Sequence, residues 1–484
     1  MEVIVGQELN LTRQDVAGNN GRFFSEALTF DDVLLVPKRS SVASRMDVSL
    51  ATKLTNNISL NIPLISANMS TVTESAMAIC LAQEGGFGII HRNLSIEREV
   101  QEVYKVKRSE NTIIEKPFTI LATDTIERAV AEMEKHGVSG LVVINEEKKL
   151  IGMLTGRDLM FETGGKLVSE VMTADPVVGK YGQAIEELIE LMRKNKVEKI
   201  PLVDENNVLK ALVTARDVLK KKKYPNACRD SRGRLRVGAS IGIRGDYKER
   251  AAAVLDAEPD AIAVDVAHGH MERVIEIVSW LKKNYGCEVI AGNVATAHGT
   301  RDLIAAGADV IKTGVGGGSI CITRTVAGTG VPQLTAIMNC AEEAAKHGIS
   351  IIADGGIKTA GDVVKALAAG ASTVMCGNLF SGTDESPGRV IFRNGKRFKM
   401  YHGMASWTAL QGLKDSDRTP EGVESMVNYK GNAKEIISNL LGGLRSGMSY
   451  SNAHTLQELQ QNAEFIRITN AGLRESHAHD VEVI

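Results

Sequence analysis

The stretch AIAVDVAHGH, residues 261–270, combines a short run of small and β-branched apolar residues with a polar ending that starts at Asp265. Five more runs of this kind occur from Leu235 onward, alternating with longer amphipathic segments, and two occur earlier in the chain. Eight strand–helix alternations predict an α/β protein built on a (β/α)8 TIM barrel. In chain order the runs are IPLISANM (62–69), GFGIIHRN (86–93), LRVGASIG (235–242), AIAVDVAHGH (261–270), EVIAGNVAT (288–296), VIKTGVGGG (310–318), ISIIADGG (349–356) and TVMCGN (373–378).

The polar endings indicate where a functional site would lie. In barrels of this kind the carboxyl ends of the strands carry the site, so the side chains that follow the strands are expected to meet at one mouth. Each of them taken singly is also compatible with an ordinary loop cap. The candidates are Asn68, His91, Asp265, Asn293, Cys321, Asp354 and Asn378.

Length, charge and cysteine usage narrow the class of protein. A chain of 484 residues exceeds what one core usually supports, so two domains are expected. A net charge of -2 argues against nucleic acid or an anionic membrane as the main partner and favours small molecules. The six cysteines are scattered without CxxC pairs, which disfavours a zinc site and a disulfide framework. With no export signal or membrane-spanning apolar run, we expect a cytoplasmic protein.

An insertion at about residues 110–222 separates the second and third predicted strands and contains an internal repeat. The barrel would then comprise residues 1–109 and 223–484. The two copies, 116–158 and 174–217, each end on Thr-x-Arg-Asp. This pattern resembles a tandem pair of CBS domains, which implies that ATP or GTP binds there. The resemblance assigns the nucleotide ribose to Thr155, Asp158, Thr214 and Asp217, although an Asp that starts a helix is also an ordinary N-cap.

Glycine-rich turns after three late strands indicate a phosphate site. GGGS with Ser319 follows the sixth strand, DGG at 354–356 follows the seventh, and CGN at 376–378 follows the eighth. Glycine allows the backbone to approach an anion closely, and barrels often bind phosphate after their last strands. Asp354 has two acceptor oxygens for a ribose diol. A nucleoside monophosphate would fit, with Cys321 beside its base.

The landmarks LTFDDVLLVP (28–37), GSICITRTVAGTGVPQ (318–333), ADGGI (353–357), GMAS (403–406) and GLRESHAHD (472–480) resemble the IMP dehydrogenase/GMP reductase family over nearly the whole chain. The resemblance implies that Cys321 attacks C2 of a purine nucleotide and forms a covalent thioimidate, with a nicotinamide cofactor stacked against the base. It implies a homotetramer with GMP or IMP as substrate.

The resemblance also assigns residues to ligands. For the nucleotide it implies that the phosphate, ribose and base are bound by Ser319, Gly356, Gly377, Asn378, Tyr401, Asp354, Gly403, Met404 and Ala405. For the cofactor side it implies Asp265, Asn293 and Gly314. For a monovalent cation, usually K⁺, it implies the carbonyls of Gly316, Gly318 and Cys321, joined by Glu475, Ser476 and His477 of a neighbouring subunit.

Two reactions remain open within this family. A dehydrogenase moves hydride from C2 of IMP to NAD and must then hydrolyse the thioimidate, so it needs a base that activates water. In the family that base lies on a flap that carries Arg-Tyr some distance before the segment PEG. Here residues 403–424 are GMASWTALQGLKDSDRTPEGVE, in which Arg418 is followed at once by Thr419 and Pro420. A general base usually contributes about 10² to 10⁴ in rate, so hydrolysis would be very slow.

A reductase avoids hydrolysis, because ammonia leaves C2 and hydride arrives at the same carbon. Thr323 with Glu421 matches the family's pair for protonating ammonia, although bacterial dehydrogenases also carry this glutamate. SANMSTV (66–72) is closer to the reductases, although Ser70 departs from the Asp common to both branches. We therefore expect a GMP reductase that converts GMP to IMP with NADPH, and Cys321, Thr323 and Glu421 as its catalytic residues.

Some features favour other functions. Most familiar reductases lack the inserted repeats, so an NAD-dependent IMP dehydrogenase that makes XMP is the alternative. A catalytically silent nucleotide sensor is a more distant one. The sequence does not choose between NADPH and NADH, between tetramers and octamers paired through the CBS domains, or between activation and inhibition by nucleotides.

Overall fold

The computed structural model describes most of the chain. The described residues are 25–109, 113–115, 117–160, 162, 164–215, 218, 223–407, 409, 419–479 and 481.

Short strands rich in Val, Ile and Ala, the residues that pack well in buried parallel sheets, make up the barrel and its surroundings. The strands of the described residues are β1 (Val33–Leu35), β2 (Thr52–Lys53), β3 (Ser59–Leu60), β4 (Leu64–Ser66), β5 (Phe87–Ile90), β6 (Thr119–Leu121), β7 (Gly140–Ile144), β8 (Leu150–Thr155), β9 (Gly179–Lys180), β10 (Lys199–Val203), β11 (Leu209–Thr214), β12 (Gly238–Ile241), β13 (Ala261–Asp265), β14 (Val289–Val294), β15 (Val310–Thr313), β16 (Ser350–Asp354), β17 (Thr373–Cys376), β18 (Ile391–Arg393), β19 (Lys396–His402), β20 (Glu424–Asn428) and β21 (Phe465–Arg467).

Eight of these strands form a closed parallel barrel in the order β12-β13-β14-β15-β16-β17-β4-β5. They lie within the eight runs predicted from the sequence, so the predicted (β/α)8 fold class is confirmed. The ring closes where β17 pairs with β4, with Val374 opposite Leu64 and Cys376 opposite Ser66. The carboxyl ends of all eight strands therefore lie at one mouth.

Helices cover the outside of the barrel and follow most of its strands, and further helices lie in the segment between β5 and β12. In the described residues they are α1 (Ser75–Glu84), α2 (Ile96–Ser109), α3 (Ile126–His136), α4 (Gly156–Leu159), α5 (Val168–Val171), α6 (Ile185–Asn195), α7 (Tyr247–Asp256), α8 (Glu272–Tyr285), α9 (Ala297–Ala305), α10 (Thr323–Val326), α11 (Gln333–Ala345), α12 (Ala360–Ala368), α13 (Ala433–Tyr450), α14 (Leu456–Asn462) and α15 (Asn470–Glu475), with 3₁₀ turns at Phe30–Asp32 and Arg45–Asp47.

Side-chain caps explain why several helices begin directly after a threonine. Thr296 accepts a hydrogen bond from the Gly299 N–H at the start of α9. Thr359 and Asp362 form a reciprocal capping box at the start of α12. Each cap satisfies backbone donors that the first helical turn leaves free.

The segment between β5 and β12 forms two small sheets with the same arrangement. In each, the middle strand pairs in parallel with the strand before it and antiparallel with the strand after it: β6-β7-β8 in the first copy and β9-β10-β11 in the second. One amphipathic helix, α3 or α6, packs on each sheet over a separate apolar cluster. The sequence repeat is therefore also a repeat of structure. Its boundaries at 110 and 222, and its assignment as a CBS pair, stay predictions.

Apolar side chains fill the layer between the barrel and its helices and also the barrel interior. The interior cluster includes Phe87, Ile290, Val310, Ile352 and Met375, all almost fully buried. This filling makes the interior of the barrel a packed core rather than a channel. Among the described residues, no helix has both the length and the apolar character needed to cross a membrane.

A buried ion pair joins α2 to α7. The Arg250 guanidinium donates to Glu99 Oε2 at 2.5 Å, and it also donates to Asp246 at 2.8 Å and to the Leu94 carbonyl at 3.0 Å. Glu99 is 0% exposed and Arg250 6%. The pair therefore locks two barrel helices through charges that cannot be solvated separately.

We expect Arg250→Met to lower the free energy of unfolding by about 3–5 kcal/mol, because it leaves the Glu99 carboxylate buried without its counter-charge. The measurement is urea unfolding followed by circular dichroism. Lys38→Met is the control, since its pair with Glu464 is exposed and 3.7 Å long, and its loss should cost less than about 1 kcal/mol. Equal effects of the two substitutions would contradict the interpretation, and Glu99→Gln added to Arg250→Met should recover part of the loss.

Candidate active site

A cavity of about 1480 Å³ opens at the carboxyl ends of the barrel strands. Six of the seven polar residues predicted to meet there line it: Asn68, Asp265, Asn293, Cys321, Asp354 and Asn378. The expectation for His91 is wrong. It lies behind the wall, 1% exposed, where its Nδ1 accepts the Asn93 N–H and its Nε2 lies 3.6 Å from Glu74.

The glycine-rich loop after β15 packs directly on the neighbouring strand. Gly314 has φ +140, and a Cβ there would lie 2.0 Å from the Asp354 carbonyl oxygen, so only glycine fits. Arg324 stabilises this loop, since its guanidinium donates to the carbonyls of Val315 (3.2 Å) and Val331 (2.6 Å). Sequence reasoning missed Arg324, whose partners lie seven to nine residues away.

Cys321, Thr323 and Glu421 form a continuous hydrogen-bonded chain. The Thr323 hydroxyl donates to Glu421 Oε2 at 2.6 Å, and Cys321 Sγ lies 3.1 Å from Thr323 Oγ1. Because the single hydroxyl hydrogen goes to the carboxylate, the thiol is the donor to Thr323. Thr323, the middle member of the chain, is 8% exposed, whereas Cys321 and Glu421 are half-buried. The arrangement can move the thiol proton to a carboxylate and return it.

Backbone bonds hold Glu421 in this position. The Ile322 N–H donates to the Glu421 carbonyl at 2.8 Å, and the Glu421 N–H donates to the Ala405 carbonyl at 3.0 Å. Cys321 and Gly422 form an isolated antiparallel bridge. The residues on either side of segment 406–420 therefore meet beside the thiol.

The predicted phosphate-binding residues lie together. Tyr401 is 3% exposed and hydrogen-bonded to Ser319, and burial raises the pKa of its hydroxyl to about 12. It therefore stays protonated and can donate. A Cβ at Gly377 would lie 3.2 Å from that hydroxyl, so backbone and hydroxyl approach closely. Gly356, with φ +77, also lines the cavity.

Two side chains donate hydrogen bonds to the same carboxylate oxygen of Asp354. Lys312 Nζ and Asn293 Nδ2 both donate to Asp354 Oδ2, at 2.8 Å and 2.9 Å. Within the described residues, Oδ1 has no hydrogen-bond partner, and it is the oxygen that could accept from a diol. Lys312 is 4% exposed and was missed by the sequence reasoning. Its signal was present, since a lysine interrupts the apolar strand VIKT.

The residues predicted for the cofactor face the same cavity. Asp265 accepts from Arg92 Nε at 3.1 Å, and Arg92 also lines the wall. The Asn293 Oδ1 atom is buried without a partner in the described structure. A buried acceptor of this kind costs free energy unless a ligand supplies a donor, and a carboxamide such as that of nicotinamide offers one. The unpartnered Asn293 oxygen therefore fits a nicotinamide cofactor, whose carboxamide can donate a hydrogen bond to it.

The predicted cation site is divided between two places. Gly316, Gly318 and Cys321 line the cavity, whereas Glu475, Ser476 and His477 lie at the exposed end of α15. Backbone carbonyls are donors that a hard cation accepts. The described residues contain no cluster of three or more His, Cys, Asp or Glu that could hold a metal. The contribution of a neighbouring subunit stays a prediction.

Other predicted residues lie away from the cavity. Both the Thr155 N–H and its hydroxyl donate to Asp158 Oδ2 at 2.7 Å. Thr155 is therefore the N-cap of α4, and Asp158 completes the capping box from the third helical position rather than serving as the N-cap itself. Thr214 ends β11, and Asp217 lies outside the described residues. Ser70, which departs from the family pattern, contacts His402 Nε2 at 3.0 Å.

Comparison with known proteins relates this site to a family. The model of the IMP dehydrogenase / GMP reductase domain matches residues 27–479. An inosine-5'-monophosphate dehydrogenase from Aquifex aeolicus is 52% identical over 472 residues, covering 95% of this chain and 96% of the relative. A second, from Nitrosopumilus maritimus, is 50% identical over 471 residues, covering 95% and 99%.

Solved structures similar to the whole chain include a GMP reductase variant from Trypanosoma brucei in complex with guanosine 5'-monophosphate. It is 43% identical, with a TM-score of 0.90, and the match covers 95% of this chain and 99% of that one. The GMP reductase from the same organism in complex with guanosine 5'-triphosphate is 40% identical, with a TM-score of 0.80, and covers 92% and 99%. Named relatives of both activities therefore match this chain over nearly its full length.

We expect Cys321 to be the first cysteine alkylated by iodoacetamide at neutral pH. It lines an open cavity, whereas burial raises the pKa of Cys80 and Cys228 to about 12 and that of Cys287 to about 11. Thr323→Val should slow labelling of Cys321 severalfold, up to about tenfold, because the thiol loses its proton acceptor. Peptide mass spectrometry measures the rates.

Thr325→Val is the matched control for this experiment, since Thr325 lies on the same short helix but is exposed. It should leave the labelling of Cys321 unchanged. Equal rates for the parent and Thr323→Val would show that the contact does not activate the thiol.

Proposed function

We propose that this chain, which belongs to the IMP dehydrogenase/GMP reductase family, is a GMP reductase. The family makes it a purine nucleotide oxidoreductase. The choice of reaction rests on segment 403–424, which has no tyrosine after Arg418 and whose two ends are tied together at Ala405 and Glu421. Without that tyrosine, the segment lacks the Arg-Tyr pair with which the family activates a hydrolytic water.

The first step forms a covalent bond between Cys321 and C2 of GMP. The thiol proton passes through the Thr323 hydroxyl to the Glu421 carboxylate as sulfur attacks, following the 3.1 Å and 2.6 Å contacts. A thiolate is a far better nucleophile than a thiol, so this transfer makes the attack possible.

The second step expels ammonia. Glu421, now protonated, returns the proton through Thr323 to the amino group on C2, which leaves as NH₃, and the C2–N double bond re-forms as a thioimidate. The same proton thus serves both steps, and no external acid is needed. A general acid of this kind usually contributes about 10² to 10⁴ in rate.

A reduced nicotinamide cofactor, when bound, would supply the hydride that C2 receives. Sulfur then leaves C2 with the bonding pair, IMP is released, and a solvent proton restores the Cys321 thiol. We propose NADPH for this role, with Asp265, Asn293 and Gly314 on the cofactor side; the unpartnered Asn293 Oδ1 supports this placement. A monovalent cation, K⁺ by the resemblance, would bind at the carbonyls of Gly316, Gly318 and Cys321.

The nucleotide is oriented by the remaining cavity residues. Ser319, Gly356, Gly377, Asn378 and Tyr401 would bind the phosphate. The approach of Ser319 and Gly377 to the Tyr401 hydroxyl supports this role. Asp354, fixed by Lys312, would accept the ribose hydroxyls. Gly403, Met404 and Ala405 line the cavity and would contact the base.

The second candidate function is IMP dehydrogenase. It is favoured by the curated relatives at 50% and 52% identity, which carry that name. The dehydrogenase would use the same thiol and the same cavity. It would also need a base for water, which segment 403–424 does not provide in the form the family uses.

The deciding assay compares GMP plus NADPH with IMP plus NAD, followed by nicotinamide absorbance and product chromatography. We expect rapid conversion of GMP to IMP and little XMP. Glu421→Gln should lower GMP turnover by about 10² to 10⁴, the contribution of a general acid. Glu435→Gln, at an exposed carboxylate on α13, is the control and should have no effect.

Steady formation of XMP above roughly 1 s⁻¹, an ordinary enzymatic rate, would establish the dehydrogenase instead. Absence of turnover in both assays, together with tight ATP or GTP binding, would favour the silent sensor.

For the insertion we propose binding of ATP or GTP by the two CBS-like repeats. Replacing residues 112–220 with a short linker should keep basal turnover and remove any response to these nucleotides, because each small sheet has its own core. Asp158→Ala should weaken the response by about 1.5–3 kcal/mol, the usual contribution of a charged hydrogen bond. Asp175→Ala, an exposed aspartate of the insertion, is the control. An inactive but folded deletion variant would contradict the proposal.

A further inference from the structure

A half-buried lysine outside the cavity contacts the turn that ends the last barrel strand. Lys430 Nζ donates to the carbonyl of Asn378 and lies 3.4 Å from the carbonyl of Leu379. The Lys430 N–H donates to the Gly382 carbonyl at 2.9 Å, so both the backbone and the side chain of Lys430 are hydrogen-bonded to this turn. Within the described structure its ammonium group has no carboxylate partner, which is unusual for a lysine removed from water.

The turn that is hydrogen-bonded to Lys430 contains two of the proposed phosphate-binding residues, Gly377 and Asn378. The Gly377 carbonyl accepts the N–H groups of Phe380 (3.2 Å) and Ser381 (3.0 Å), which closes the turn. Gly377 and Asn378 line the cavity, and in the described part of the chain their N–H groups have no backbone acceptor. The carbonyls of this turn are therefore already hydrogen-bonded. The N–H groups of Gly377 and Asn378 remain available to a ligand in the cavity.

We propose that Lys430 is a positioning residue for the nucleotide phosphate. Because each peptide unit is planar, holding the Asn378 carbonyl also fixes the Leu379 N–H in its plane. This restricts the orientation of the turn that presents the Gly377 and Asn378 N–H groups. The positive charge lies on the carbonyl side of this turn and adds a favourable field for an anion on the other. The inference rests on the proposed phosphate site at Gly377 and Asn378, and it holds for GMP and IMP alike.

The environment of Lys430 makes its charge sensitive to pH. Burial lowers the pKa of Lys430 to about 8. The charged groups on the segments around it have other partners: Asp384 accepts from Tyr429, Glu385 from the Ala433 N–H, Lys434 pairs with Glu84, and Lys399 donates to the Ser386 carbonyl. As the pH rises through about 8, Lys430 becomes neutral, so nucleotide affinity should fall.

The chain provides a matched control in Lys399. It is more deeply buried than Lys430, at 4% exposed, and its ammonium group also donates to backbone carbonyls, those of Ser386 (2.7 Å) and Asp384 (3.5 Å). Those carbonyls lie beyond the phosphate turn. A purely structural role for buried lysines would therefore affect both residues, whereas a positioning role affects Lys430 alone.

The test is the dissociation constant of GMP, IMP and guanosine, measured by calorimetry on the full-length protein. Lys430→Met and Lys430→Gln should weaken GMP and IMP by about tenfold or more, as the loss of a charged hydrogen bond does, and leave guanosine unchanged. Lys399→Met should change the three constants by less than about twofold. Lys430→Gln keeps donors for the carbonyls without the charge, so its defect reports the charge itself.

The parent protein gives a second readout that needs no substitution. Its dissociation constant for GMP should rise with pH between about 7 and 9, a range in which the phosphate stays a dianion because its second pKa is about 6. Guanosine reports any effect of pH on the base. The rise should be absent in Lys430→Gln. A flat profile in the parent, or equal losses for GMP and guanosine in Lys430→Met, would overturn the proposal.

Ser319→Ala separates this inference from the proposed site. If Ser319→Ala weakens GMP but the folded Lys430 variants do not, the role of Lys430 is wrong. If neither weakens GMP, the phosphate lies elsewhere and the proposed site itself is wrong. Because binding is measured rather than turnover, the result does not depend on whether the chain is a reductase or a dehydrogenase.

Discussion

The parallel pairing of β17 with β4 closes the barrel, and every feature of the site depends on that closure. Cys376 pairs with Ser66 and Val374 with Leu64, although these segments lie about three hundred residues apart in the sequence. The closure places the loops after β15, β16 and β17 on one rim, so glycine-rich turns from three separate segments face a common cavity. An open sheet would present the same loops along a line, and they could not surround a nucleotide.

The groups on this rim are held before any ligand arrives. Glu421 is fixed by backbone bonds to Ile322 and Ala405, and it holds Thr323, which in turn contacts the thiol of Cys321. Asp354 is fixed in the same way by two donors on one of its oxygens. Side chains ordered during folding lose little entropy when a ligand binds, and their dipoles need no reorganisation during reaction. The chemistry therefore rests on polar networks that the fold completes.

The inserted repeats interrupt the chain without interrupting the barrel. β5 and β12, on either side of the insertion, pair directly, with Gly238 opposite Ile89 and Ala239 opposite Ile90. The two small sheets have apolar clusters of their own, separate from the barrel core. An insertion with its own core can vary without loss of the ladder, which explains how one barrel accommodates a second unit at this point.

Local patterns in the sequence determined the eight barrel strands, the repeat, and six polar residues that line the cavity after those strands. They could do so because strand periodicity, glycine turns and polar strand endings are properties of neighbouring residues. The partners of those residues were decided by tertiary structure. Lys312 donates to Asp354, which lies 42 residues later in the sequence, and Lys430 donates to Asn378, which lies 52 residues earlier. Arg92 lines the cavity, whereas the preceding residue, His91, does not. Strand stagger and barrel closure set these contacts, and no local pattern contains them. The sequence therefore determined which chemical groups the site holds, and only the closed barrel decided which of them touch.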